Sequence, residues 1–192
     1  MSFKTGLNFM TANGHVFFSI SSLLFFSRLF CTNEIIHGDL LHVISGVLIG
    51  SLIPDIDHPN SFFGRLFKFV STFLSRVFGH RKFTHSLLGL IFFVLFFSRF
   101  IIISNNYNDF FYSFLIGYSS HLIGDMLTAN GIPLFWPLKI SFCFPILRKD
   151  YKKKKEYSIS IFLILLSMLA QKDSLIFIRM IFHSISTFLY LK

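Results

Sequence analysis

The stretch FFYSFLIGYSSHLIGDMLT, residues 110–128, is an apolar run with ionisable side chains in its second half. Its length approaches the roughly 20 residues that a helix needs to cross a bilayer. His121 and Asp125 are spaced i and i+4, so on a helix they share one face, roughly 6 Å apart at Cβ. Ionisable groups inside an apolar run are costly without a partner or a metal. The pair therefore indicates either a hydrogen bond within the helix or two ligands of one divalent ion.

The rest of the chain is similarly apolar. Of its 192 residues, 53% are hydrophobic and 14% are charged, below the roughly 25% of charged residues typical of soluble domains. Only the runs 86–104 and 110–128 have a comfortable spanning length. We predict an all-α, polytopic membrane bundle with four to six membrane-associated helices, drawn from the apolar runs 15–30, 40–53, 86–104, 110–128, 158–170 and 174–191.

The formal net charge of +9 is concentrated in two long connections. Lysines and arginines are frequent in 54–85 and 129–157, whereas 31–39 and 105–109 contain none. Basic loops stay in the cytoplasm, so we expect the basic connections and both termini on that side if all six runs cross. Membrane topology then explains the positive charge, and attraction to anionic lipids is a secondary effect. We expect no direct nucleic-acid binding. The lysine-rich segment 149–157 is predicted to be a solvated loop.

Polar motifs interrupt the apolar pattern, and all are predicted at the cytoplasmic face. They are GH at 14–15, PDIDHP at 54–59, GHRKFTHS at 79–86 and SHLIGDMLT at 120–128. Asp55 and Asp57 straddle Ile56, so in an extended segment their side chains point the same way. A turn or helix cap after Pro54 is the alternative.

The histidines of these motifs offer further ligand atoms. His80 and His85 suit one ligand on the approach loop and one on the first turn of the next helix; the alternative is that both, with Arg81, decorate the membrane interface. His15 is either a ligand or a water-exposed residue at a helix start. We interpret His58 as a loop residue rather than a ligand. Carboxylates and imidazoles together favour Zn²⁺, Mn²⁺ or a related hydrolytic ion.

The ordered motifs MTANGH, LIPDIDHP, GHRKFTHSLL and GYSSHLIGDMLTANGIPLFWP closely resemble the YdjM family of inner-membrane, metal-dependent hydrolases. The likeness runs from about Met10 to Pro145. It implies that 1–9 is an N-terminal extension and that 10–192 is one hydrolase-like domain, with 146–192 as its C-terminal helical segment. It also implies localisation in the cell inner membrane and, through LexA regulation, a link to the DNA damage response.

The resemblance further implies a single metal centre. Its expected ligands are His15, Asp55, Asp57, His80, His85, His121 and Asp125. We expect Asp57 and Arg81 to act in catalysis, Arg81 by stabilising negative charge. The order of early His, Asp, His and then HxxxD is also similar to the zinc-dependent phospholipase C and nuclease group, where a carboxylate bridges two zincs. That similarity makes Asp125 the bridging candidate, although the downstream HxxxE of the group is missing here.

The leading functional prediction is a hydrolase that acts on a phosphoester or lipid-derived substrate at the cytoplasmic leaflet. It would use one or two divalent ions, Zn²⁺ or else Mn²⁺, and its partners would be membrane lipids. One alternative is a transporter or ion-handling protein in which His121 and Asp125 relay protons or bind the cation. A second alternative is a non-catalytic adaptor whose Lys152–Lys155 loop binds a lipid or a macromolecule.

Overall fold

Helices make up nearly all of the regular structure. The computed structural model describes residues 10–29, 40–103, 108–144, 146–147 and 154–169. The helices are α1 (Ala12–Leu29), α2 (Leu40–Leu52), α3 (Phe62–Leu66), α4 (Lys68–Val77), α5 (Leu87–Ile103), α6 (Asn108–Met126) and α7 (Lys154–Leu169). In these ranges the chain forms isolated β-bridges but no strand, which confirms the all-α prediction. The predicted extension 1–9 and helix 174–191 lie outside the described residues.

Membrane-spanning capacity is clearest in α2. Over the described part of the chain, Leu40–Asp57 is the one helical segment long and apolar enough to cross a membrane, and Leu87–Arg99 is a shorter apolar segment. Helices α5 and α6 contain 17 and 19 residues, so at 1.5 Å per residue they extend about 26 and 29 Å. The predicted number of four to six membrane-associated helices stays a prediction.

Helices α2 and α6 pack closely along a seam of glycines. A Cβ added at Gly46 would lie 2.3 Å from the carbonyl oxygen of Phe110, and one added at Gly50 would lie 2.3 Å from that of Phe114. Gly117 of α6 approaches the backbone of α2 in the same way. Small residues spaced by four allow such contact between membrane helices. The seam brings the second half of α6 beside the end of α2.

Aromatic side chains fill the space between α5 and α6. Phe114 and Tyr118 are fully buried, and Phe93 and Phe97 of α5 pack against them. The Tyr118 hydroxyl donates a hydrogen bond to the backbone carbonyl of Thr84. The core of the bundle therefore fixes the loop that precedes α5 against α6.

The segment after α2 is helical rather than extended. Ile53–Asp57 forms a 3-10 helix that continues from α2, with Pro54 in its first turn, where the missing N–H of proline costs nothing. Of the two predictions for Asp55 and Asp57, the extended backbone is therefore wrong, and the turn after Pro54 is the one observed. The long connection that follows contains α3, which Ser61 caps by accepting a hydrogen bond from Gly64 N at 2.9 Å, and then α4.

Helix α7 is fixed to the start of α1 by a buried carboxylate. Thr11 Oγ1 donates a hydrogen bond to Glu156 Oε2 at 2.6 Å, and the Thr11 backbone N–H also points to this carboxylate. Glu156 is almost fully buried. The expectation of a solvated loop over 149–157 is therefore wrong from Lys154 onward, where the chain is already helical.

The chain that leaves α6 folds back onto the end of that helix. Phe144 N donates to the Met126 carbonyl at 2.7 Å, and Leu147 N donates to the Leu127 carbonyl at 2.9 Å. These bonds satisfy carbonyl groups that a helix end leaves without partners. Gly131 adopts a φ of +59° in the turn beyond the helix, a conformation that suits glycine.

Candidate metal centre

Potential metal ligands from four separate segments meet at one end of the bundle. His15 comes from the first turn of α1, Asp55 from the 3-10 helix, His85 from the loop before α5, and His121 and Asp125 from α6. The side chain of Asp55 is 23% exposed, whereas the other four residues are buried. The cluster is therefore closed on most sides and is reached from water beside Asp55.

His85 Nε2 lies at the centre of this cluster. It is 3.3 Å from Asp55 Oδ1, 3.3 Å from Asp125 Oδ2 and 3.3 Å from His121 Nε2. His121 Nε2 is in turn 3.5 Å from Asp125 Oδ2 and 3.9 Å from Asp55 Oδ1. Tetrahedral zinc with ligands at about 2.0–2.2 Å holds those ligand atoms about 3.3–3.6 Å apart. All but the longest of these separations fit a tetrahedral zinc site to within the rounding of the distances.

Hydrogen bonds on the far side of two imidazoles direct their Nε2 atoms into the cluster. His121 Nδ1 lies 2.6 Å from the Ser51 carbonyl oxygen. Since a carbonyl only accepts, Nδ1 carries the hydrogen and Nε2 offers its lone pair to a metal. His85 Nδ1 lies 3.1 Å from Thr84 Oγ1, an arrangement that can hold His85 in the same tautomer.

His15 extends the cluster on the other side of Asp125. Its ring stacks on that of His121 with centroids 3.7 Å apart, and His15 Nε2 lies 3.5 Å from Asp125 Oδ1. Within the described residues, neither ring nitrogen of His15 nor Asp125 Oδ2 has a hydrogen-bond partner. Buried polar atoms without partners are costly, and a bound cation would satisfy them. The residues present therefore fit a metal ion.

The potential ligands divide into two overlapping groups. One contains His15, His121 and Asp125, and the other contains Asp55, His85 and His121. His121 has a single nitrogen left for a metal, because its Nδ1 faces the Ser51 carbonyl. The two groups therefore share one nitrogen, and an ion held by one group would compete with an ion held by the other.

Arg81 reaches the cluster from an unusual backbone conformation. Its guanidinium contacts Asp125 Oδ1, and its backbone N–H donates to Asp57 Oδ2 at 2.5 Å. The φ of Arg81 is +58°, in the left-handed region that residues other than glycine adopt rarely. This turn lets the backbone and the side chain of one residue bind two different carboxylates.

Asp57 and His80 form a neighbouring pair at the outer edge. His80 Nδ1 lies 3.2 Å from Asp57 Oδ1, so both oxygens of this buried carboxylate contact the loop 79–86. His80 is exposed, and neither residue belongs to the two groups of potential ligands. Their predicted role as ligands stays a prediction. His58 lies beside His80 and accepts a hydrogen bond from Asn60 N.

The carboxylates make the cluster attractive to positive charge. Burial disfavours a charged imidazole, but the neighbouring carboxylates of Asp125 and Asp55 outweigh this effect and raise the pKa of His85 to about 9. Without a metal, these carboxylates therefore favour the doubly protonated, positively charged form of His85. A divalent cation would take the place of one of these protons.

The sequence model described as YdjM inner membrane protein matches residues 10–190. The chain belongs to the YdjM family. This confirms the resemblance seen in the ordered motifs, and the match runs well past Pro145. Membership of YdjM supports the predicted localisation in the inner membrane.

Three relatives match between about half and three quarters of the chain. The inner membrane protein YdjM of Escherichia coli (strain K12) is 40% identical over 141 residues, which cover 72% of this chain and 71% of that protein, and the Shigella flexneri protein gives the same values. The uncharacterized protein YvsG of Bacillus subtilis (strain 168) is 43% identical over 101 residues, 53% of this chain and 61% of its own length. None of the solved structures matches the chain.

Two groups that orient the ligands have little or no signature in the sequence. The Ser51 contribution is a backbone carbonyl, which leaves no side-chain signature. Thr84 offers a weak signal, since a hydroxyl stands directly before a histidine in the motif RKFTHS. Only the fold shows that Thr84 is buried and faces His85 Nδ1.

Proposed function

We propose that this member of the YdjM family is a membrane-bound, metal-dependent hydrolase with one catalytic zinc-type centre. The observation that carries the proposal is the position of His85 Nε2, which lies 3.3 Å from two carboxylate oxygens and from a second imidazole nitrogen. These are the donor types and spacings that a hydrolytic metal requires. A bound divalent ion would supply Lewis acidity and lower the pKa of a water molecule towards roughly 7.

The residues of the cluster would hold the ion and leave one coordination position open to water. Asp55, His85, His121 and Asp125 would hold it, with the last three buried. A catalytic zinc site differs from a structural one by keeping a position open to water. Asp55 is partly exposed and makes the longest separation, 3.9 Å to His121 Nε2, so the open position is expected on its side.

Arg81 supports a phosphoester as the substrate class. Its guanidinium neutralises Asp125, and its side chain is 12% exposed, so it stands between the buried ligands and solvent. Guanidinium groups bind phosphoryl oxygens through paired hydrogen bonds. Lys82 follows it on the exposed side of the same loop. Asp57 would position this loop by accepting the Arg81 N–H and by contacting His80.

We also propose that the chain crosses the inner membrane several times, with the metal centre and both termini at the cytoplasmic side. The lengths of α5 and α6, about 26 and 29 Å, approach the roughly 30 Å of a bilayer core. Labelling of single cysteines with an impermeant maleimide in intact cells and in lysed cells would test the topology. The link to DNA damage stays a prediction from the resemblance.

Metal content and hydrolysis measured together test the enzymatic proposal. The full-length protein, purified in nanodiscs, is expected to retain one zinc or manganese ion per chain and to hydrolyse bis(p-nitrophenyl) phosphate. His85→Ala should lose both the ion and the activity, because it removes the central ligand. His58→Ala is the matched control, since His58 lies nearby but outside both ligand groups. Retention of the ion by His85→Ala, or full activity in a metal-free protein, would refute the proposal.

A further inference from the structure

Helix α4 exposes its apolar face. Phe69, Phe73 and Val77, spaced by four, are 86%, 56% and 56% exposed, whereas Ser71 on the opposite side is fully buried. A helix on the surface of a water-soluble protein shows the reverse pattern, with the apolar stripe facing the core. The outer side of α4 therefore requires an apolar environment that the described part of the chain does not supply.

Neighbouring segments add to this apolar surface. Phe62 and Leu66 of α3 are 59% and 65% exposed. The loop after α6 joins the end of α4 through Trp136, whose ring packs edge-on against Phe78 with centroids 5.6 Å apart. Tryptophan is enriched where a membrane meets water.

Basic residues accompany the apolar face. Arg65, Lys68 and Arg76 are exposed on α3 and α4, and the sequence contains no acidic residue between Asp57 and Asp109. Basic side chains near an apolar helix face bind anionic lipid headgroups. Helix α4 has 10 residues and extends about 15 Å, half of what a crossing requires. Length and charge together favour a helix that lies along a membrane surface.

The inner side of α4 faces residues at the edge of the metal centre. Leu74 and Phe78 line a small hollow together with Asp57, Gly79 and Thr84. Thr84 precedes the central ligand His85, and Asp57 holds the Arg81 loop. Helix α4 is therefore the element that connects an outward apolar face with the edge of the candidate site.

We infer that α3 and α4 lie in the plane of the inner leaflet, at the depth of the phospholipid headgroups. Phe69, Phe73 and Val77 enter the boundary between headgroups and acyl chains, and the basic side chains contact anionic lipids. This placement holds the opening of the metal centre beside the headgroup phosphates. Combined with the proposed function, on which this last step rests, it makes the phosphoester of a membrane lipid the substrate class.

Depth-dependent fluorescence quenching tests the placement. The full-length chain, with Cys31→Ser and Cys143→Ser, receives one cysteine by Phe69→Cys or Phe73→Cys and an environment-sensitive fluorophore. It is reconstituted into vesicles of phosphatidylcholine and phosphatidylglycerol that carry nitroxides at shallow or deep acyl positions. We expect at least twofold stronger quenching by the shallow nitroxide than by the deep one. Asn60→Cys, on an exposed loop, is the matched control and should be quenched by aqueous iodide instead.

Every other pattern overturns the inference. Strongest quenching by the deep nitroxide would make α4 part of a membrane span. Iodide quenching equal to that of Asn60→Cys would place α4 in water, and protection from all three quenchers would place it under protein, such as a second copy of the chain. Agreement between Phe69→Cys and Phe73→Cys guards against a local effect of one label.

A charge variant tests the contact with anionic lipid. Replacing Arg65, Lys68 and Arg76 with glutamine should lower shallow quenching at Phe69→Cys by at least half in phosphatidylglycerol vesicles and leave it unchanged in pure phosphatidylcholine. Equal quenching of both proteins in both lipids would refute the electrostatic contact. Helicity and gel-filtration volume confirm that the variant is folded. His85→Ala should not alter the depth of the label. The quenching result therefore tests the membrane placement even if the proposed metal site is refuted.

Discussion

The valine substitution of Thr84 tests whether the hydroxyl beside His85 orients the central ligand. Thr84 is 2% exposed, and its Oγ1 lies 3.1 Å from His85 Nδ1. In Thr84→Val the buried Nδ1–H of His85 loses its acceptor, and a ring whose Nε2 is bound to a metal cannot turn to find another. An unpaired buried donor costs about 1–2 kcal/mol, so the zinc affinity should fall roughly 5- to 30-fold.

Competition with a fluorescent zinc chelator on the protein in nanodiscs measures this loss directly. Thr72→Val makes the same chemical change on α4, where the hydroxyl bonds to the Lys68 carbonyl, and should leave zinc affinity unchanged. A wild-type affinity in Thr84→Val would show that the hydroxyl does not fix His85. A loss in both variants would point to a general effect of valine on the fold.

Three further predictions concern packing, anchoring and charge. Gly50→Ala should lower the stability of the α2–α6 pair by about 1–3 kcal/mol, because its Cβ would lie 2.3 Å from a carbonyl oxygen of α6; thermal loss of helicity in detergent measures this. Glu156→Ala should remove the bonds to Thr11 and free α7 for faster proteolysis, with Glu156→Gln showing a smaller effect. Arg81→Gln should tighten zinc binding, because a positive charge beside Asp125 is removed. The same variant should slow phosphoester hydrolysis, because the guanidinium that would bind the phosphoryl group is lost. Weaker zinc binding would contradict the assigned contact with Asp125.

The sequence predicted those features that depend on local spacing. His121 and Asp125 lie close together because four residues separate them on one helix, and the apolar periods of α5 and α6 identified both helices within a few residues of their ends. Ordered motifs also anticipated that His15, Asp55 and His85 come to the same end of the bundle.

Features that depend on distant partners could not be predicted. Glu156 stands after four lysines and has the pattern of a solvated charge, but its hydrogen-bond partner Thr11 is 145 positions away. The amphipathic face of α4 was not predicted, because residues 54–85 were interpreted from their positive charge alone. Spacing alone left the DID segment open between extended backbone and a turn, because both conformations allow aspartates two positions apart, and the structure shows a 3-10 turn.

The glycine seam between α2 and α6 has a consequence for how the cation pocket responds to its surroundings. His121 and Asp125 follow Gly117 on α6, and Asp55 follows Gly50 by five residues. Because no layer of side chains separates the two backbones, we expect the donors on α6 and on the 3-10 continuation of α2 to move as a single rigid unit. Thinning or bending of the bilayer would tilt this unit as a whole, and the spacing of those donors would survive the deformation.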